Sequence, residues 1–191
     1  MLRNLLAIST NTFGQAVRQP VFTVVIAVTI MLLIASPSLS MFSLDDDNQL
    51  LKDIGLSTIL VAGLLLAVFA ASTVLTEEIE NKTVLTVISK TVGRTSFILG
   101  KFIGIAAAVL MAQYLLTLVF FMVTRHGVMQ TARDEFDLVV IILGGLAALI
   151  TLTVGILGNY LYQWRFTSTA IYLATLTCSI VMAILIFIDP K

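Results

Sequence analysis

Charge is what this sequence has least of. Only 12% of its 191 residues are Asp, Glu, Lys or Arg, while 59% are hydrophobic, and the mean hydropathy is +1.06. A soluble domain carries roughly a quarter charged residues, because its surface must face water. A soluble fold is therefore excluded, and most of the outer surface must face lipid. The single cysteine, Cys178, lies inside an apolar run, which excludes a disulfide framework. With His126 as the one histidine, no zinc or haem ligand set can be assembled. The first residues also lack the pattern of a cleaved signal. Asn4, Ser9, Thr10 and Asn11 interrupt the apolar stretch, and no small-residue cleavage site follows. The first long apolar segment is expected to be retained.

The scarce charges mark out the chain. Uncharged runs of 26, 23, 23, 27 and 23 residues separate Arg18 from Asp45, Asp53 from Glu77, Lys101 from Arg125, Asp137 from Arg165, and Arg165 from Asp189. About 20 mainly apolar residues in a helix cross the hydrocarbon core. The runs predict an all-α membrane protein, a single transmembrane domain over 1–191, with five spans near 21–43, 54–76, 101–124, 138–160 and 167–188. A β-barrel would show shorter alternating segments, and these do not alternate.

No Asp, Glu, Lys or Arg sits deep within any run. Proton- or sodium-driven carriers and voltage sensors place such groups at mid-membrane, so energy for any transport is expected from outside the membrane part. The chain does not supply a nucleotide site either. The nearest approach to a phosphate loop has six residues between Gly93 and Gly100, and Phe102 follows Lys101. The motif needs four residues there and a Ser or Thr to hold magnesium. A membrane metalloprotease would use the Glu77-Glu78 pair with histidines, and His126 stands far from it in the sequence. The chain is expected not to be an enzyme, to hold no metal or cofactor, and to bind no nucleic acid.

Basic residues orient the spans. Arg3, Arg18, Lys82, Lys90, Arg94, Lys101 and Arg165 would share one side, and Lys52, Arg125, Arg133 and Lys191 the other. Positive residues favour the cytoplasm, which places the N-terminus and the loop between spans two and three inside. Residues 1–18 read as an amphipathic helix in the cytoplasmic interface, with Leu2, Leu5, Leu6, Phe13, Ala16 and Val17 on a helical spacing. Pro20 fits the first turn of the helix that follows.

The inside loop 77–100 is the most informative segment. Three acids (Glu77, Glu78, Glu80) lead it and four bases (Lys82, Lys90, Arg94, Lys101) follow or close it. Val84, Leu85, Ile88 and Val92 fall on one helical face. Such a helix suits insertion into a partner's groove, and equally suits rest on the membrane interface. Its residue order resembles the ABC-transporter permeases of the second exporter type, membrane subunits that pair with separate ATPases. In that family the second span ends in an acidic Glu-Ile or Glu-Leu pair, followed by a threonine-bearing coupling helix. A Ser-Lys-Pro-Val-Ser-Arg-like turn comes next, and a Gly-Lys then opens the third span. Here Glu78-Ile79, Lys82-Thr83-Val84-Leu85, Ser89-Lys90, Arg94 and Gly100-Lys101 follow that order, and Phe13, Arg18, Pro20 and Val21-Phe22 resemble the family's elbow helix. Thr91 and Gly93 depart from it, standing where proline and serine are usual.

The resemblance implies a permease docking an ATPase through Glu78, Lys82, Thr83, Val84, Leu85, Ile88, Lys90 and Arg94. It also implies two ATPase copies carrying the ATP and magnesium, a homo- or heterodimer of permeases, contact with membrane lipid, and residence in the plasma (bacterial cytoplasmic) membrane. The family has six spans, so a sixth span and its preceding outer hairpin are expected beyond Asp189-Pro190-Lys191 or from another chain. Gln113, Tyr114 and Thr117 in the third span, and Thr175, Thr177 and Ser179 in the fifth, are candidates to line a pathway. Such hydroxyls equally bond their own helix carbonyls. Gly100-x-x-x-Gly104, Gly144-Gly145 and Gly155-x-x-Gly158 offer small faces for close helix approach. The rival reading is a scaffold that transports nothing and docks a partner through the same loop.

Overall fold

The computed structural model describes residues 2–40, 47–80, 94–128 and 137–188. Among them it contains six helices and no strand. These are α1 (Leu2–Val17), α2 (Pro20–Ser40), α3 (Asp47–Glu80), α4 (Arg94–His126), α5 (Leu138–Tyr162) and α6 (Phe166–Ile186). Five of them, α2 to α6, are long and apolar enough to cross a membrane.

Two of the helices, α3 and α4, run further than the apolar runs that revealed them. α3 continues to Glu80 and α4 starts at Arg94, so only 81–93 of the expected inside loop falls outside the described residues. A backbone satisfied by its own hydrogen bonds need not stop where the lipid does, and charged residues extend such helices into the interface.

The topology is up and down. Thr73 Oγ1 donates to Gln19 Oε1 at 2.5 Å and Thr167 Oγ1 to Arg18 O at 3.3 Å. These bonds put the end of α1, the start of α2, the end of α3 and the start of α6 at one end of the bundle. At the opposite end Arg125 of α4 meets Asp137 and the last carbonyls of α6. Reporter fusions near Lys90 and Arg165 are expected to read inside, and those near Asp47 and Arg133 outside. A Lys90 fusion that reads outside would overturn the orientation drawn from the basic residues.

The hub is α4. Its most apolar stretch is 44% buried, against 22–28% for the other four spans. Around it Leu33, Leu51, Leu66, Val74, Leu115 and Leu116 form the main core. A smaller cluster of Met122, Val140, Ala147, Val181 and Leu185 joins α5 and α6 to it. Elsewhere the large apolar side chains face outward, among them Leu60, Val68, Leu110, Ile142 and Leu149. Lipid is as apolar as these side chains, so helix association here depends on fit rather than on exclusion of water.

Between α1 and α4 that fit brings a helix backbone up to bare glycine. A Cβ on Gly104 would lie 2.6 Å from Ser9 O and 2.7 Å from Thr12 Cβ, and one on Gly100 would lie 2.9 Å from the Ile8 side chain. Two glycines one turn apart thus make a groove along which α1 lies. The buried face of α1 is Ser9, Thr12, Ala16 and Val17, while Leu6 points outward at 54% exposure. The packed face keeps Ala16 and Val17 of the face read from the sequence, with Phe13 against the core, and close approach puts Ser9 and Thr12 there in place of Leu6.

Gly104→Ala is expected to cost about 1–3 kcal/mol by overpacking, because the atom it meets is backbone and cannot swing away. Gly145 has nothing within 4 Å of an added Cβ. Gly145→Ala should therefore be neutral or stabilising by up to about 1 kcal/mol, the helix-propensity gain. Detergent unfolding of the two variants checks both signs.

Candidate functional site

The two ends of the candidate docking segment are rooted in α3 and α4. Lys82, Thr83, Val84, Leu85, Ile88 and Lys90 lie outside the described residues, and the side chains of Glu78 and Arg94 do too, although their backbones are helical. On the described side of this end Lys101 is only 7% exposed, and its ammonium lies 5.4 Å from the Phe97 ring centre, within reach of a cation–π attraction.

The six candidate pathway residues fall in several places. Gln113 Nε2 donates to Ile59 O at 3.1 Å, and its amide fills the space beside Gly63. It therefore ties α4 to α3. Tyr114 Oη and Ser179 Oγ are 3.2 Å apart, linking α4 to α6. Ser179 also donates to Thr175 O at 2.6 Å. A hydroxyl has one proton, so the tyrosine is the donor between them. Thr177 Oγ1 of α6 lies 3.2 Å from Thr151 Oγ1 of α5, and each also reaches a carbonyl of its own helix at 2.8 Å, so whichever donates to the other gives up its carbonyl. Thr117 donates to Gln113 O and Thr175 to Ile171 O, one turn back.

A groove of about 380 Å³ lies elsewhere, between α2 and α3, lined by Val25, Val28, Leu32, Val61 and Leu65 with Thr29, Ser57 and Thr58. Those three hydroxyls donate to Val25 O, Asp53 O and Ile54 O at 2.7 Å. The groove therefore presents an apolar wall, suited to hydrocarbon.

One highly connected polar group was not singled out in the sequence. Arg125, in the last turn of α4, places Nε 3.3 Å from Asp137 Oδ2. Its Nη2 donates to Ile188 O at 2.9 Å, and its Nη1 donates to Leu185 O. The last carbonyls of a helix lack intrahelical partners, and a cation there also meets the negative end of the dipole. Asp137 is buried and caps α5, accepting from Val140 N at 3.4 Å. One guanidinium thus fastens the ends of three helices. Two signals were available: a basic residue in a last turn, and an Asp immediately before an apolar run. Their meeting was not readable from spacing, because the carbonyls that complete the site, Leu185 and Ile188, lie 60 and 63 residues after Arg125.

Among the described residues no group of three His, Cys, Asp or Glu is placed to hold a metal. Comparison with protein-family models, with curated proteins and with solved structures finds no match. What the fold defines is the class: a multi-pass helical membrane protein.

Proposed function

We propose that this chain is the transmembrane permease subunit of an ATP-driven exporter, docking a separate cytoplasmic ATPase through the segment near 82–90. The observation that carries the reading is the residue order Glu78-Ile79, Lys82-Thr83-Val84-Leu85, Ser89-Lys90, Arg94 and Gly100-Lys101, held between the second and third spans. The placement of that segment supports it. α3 and α4 frame the segment, and α4 is the most buried helix of the bundle. Movement of the segment on ATP-driven closure of the ATPases passes into α4, and from there into α1 through Gly100 and Gly104. The absence of charge from the interior of the spans accords with energy arriving from a partner.

Two ATPase subunits with ATP and magnesium, a second permease chain, the plasma membrane and a cytoplasmic N-terminus belong to the same proposal. Purification from native membranes in mild detergent tests it. An ATPase should accompany the chain, with turnover that depends on reconstitution into lipid. Intact chain that brings down a different, non-hydrolytic partner would favour the scaffold.

A further inference from the structure

The turn between α5 and α6 carries exposed aromatic side chains: Tyr160, Tyr162, Trp164 and Phe166. They are held rather than loose. The rings of Tyr162 and Trp164 stack at 5.4 Å. Asn159 Nδ2 donates to Trp164 O at 2.7 Å, and Trp164 N donates to Gly158 O at 3.1 Å. Gln163 makes the bend in the left-handed region, with φ of 54°.

Arg165 follows at once and is exposed. Two residues on, the Thr167 hydroxyl bonds Arg18 O, which brings a second exposed arginine to the same end. Asp53 and Asp137 lie at the opposite end, while Glu77, Glu78 and Glu80 close α3 on this one. By the sequence, seven basic residues fall on this side against those three acids, so the charge balance around the aromatic turn is positive.

We propose that Arg18, Arg165 and the aromatic turn form a binding site for the headgroup of an anionic phospholipid. Guanidinium groups donate to phosphate oxygens in paired geometry. Tyrosine and tryptophan favour the level of the headgroups, where an apolar ring body and a polar edge are both accommodated. A lipid fits better than a soluble partner because the patch is continuous with the membrane-facing side of α5. Leu157 and Leu161 are exposed immediately before the turn, so an occupant of the arginines has hydrocarbon-facing surface beside it. The inference requires the membrane-spanning fold alone and is independent of transport.

Trp164 is the one tryptophan in the chain, so its fluorescence reports this site. The purified chain is reconstituted in vesicles of equimolar phosphatidylcholine and phosphatidylglycerol, with bromines on the acyl chains of one lipid or the other. Brominated phosphatidylglycerol should quench Trp164 more strongly, corresponding to a local enrichment of about fivefold, the factor one basic side chain contributes near an anionic surface. Added salt should reduce the preference. R18Q/R165Q should fall to parity, and R18K/R165K, which keeps the charge without the paired donors, should keep part of the enrichment. Equal quenching by both lipids in the unaltered chain would overturn the proposal, even if the variants fail to fold. So would a preference that survives R18Q/R165Q. Loss of the preference to inorganic phosphate, beyond that caused by chloride at matched ionic strength, would mark a soluble-phosphate site and overturn the lipid assignment.

Discussion

Asp137→Ala is expected to destabilise the chain by about 3 kcal/mol or more, the range for removing one partner of a buried ion pair. The pair is nearly out of solvent, with side-chain exposures of 14% for Arg125 and 8% for Asp137. The substitution removes the carboxylate that faces the Arg125 guanidinium and also the cap of α5. Loss of a cap alone costs about 1 kcal/mol. Asp137→Asn keeps an oxygen for the cap and a polar face for Arg125, so it should lie between the parent and the alanine variant. The pair should also be non-additive. R125A/D137A should cost less than the two single changes together, because the second removes a charge already stranded. Unfolding in mixed detergent measures all four. An Asp137→Ala variant within about 0.5 kcal/mol of the parent, the scale of an ordinary surface change, would show that the end of the bundle is held by something else.

The five spans were legible because the bilayer imposes a length on every crossing helix, and a run free of charge over that length leaves few alternatives. What lay at the ends of those runs was less legible. α3 reaches Glu80 and α4 begins at Arg94, since hydropathy marks the lipid boundary and not the helix boundary. The small face at Gly100 and Gly104 was visible as a pattern, but its partner was not. Spacing says that a helix can approach closely and leaves open which one does. The answer, α1, also explains why Ser9 and Thr12 are buried while Leu6 is not.

Gln113 shows the same limit. Its polarity stood out within an apolar run, yet only the fold places its amide against the Ile59 carbonyl and the bare surface of Gly63. Arg125 is the strongest case. A side chain that fastens three helix ends looks in the sequence like one more loop cation.

The measurement that tests the proposed function most directly is association with the proposed ATPase partner after Leu85 and Ile88 are both replaced by aspartate. A helical spacing would put both side chains on the apolar face of the proposed docking segment, outside the five spans. Insertion and helix content should therefore be unchanged. In a groove that receives apolar side chains, two unpaired carboxylates meet a desolvation cost of several kcal/mol. Each 1.4 kcal/mol is a factor of ten in affinity, so binding should fall by orders of magnitude. Charge reversal at Glu78 or Lys82 should do less if those groups sit at a solvated rim, where an ion pair contributes about 0–1 kcal/mol. A pull-down from detergent, with ATP turnover measured on the same sample, reads both. The account predicts correctly inserted L85D/I88D chain with no ATPase bound and no turnover; the same variant retaining a fully active ATPase would contradict it.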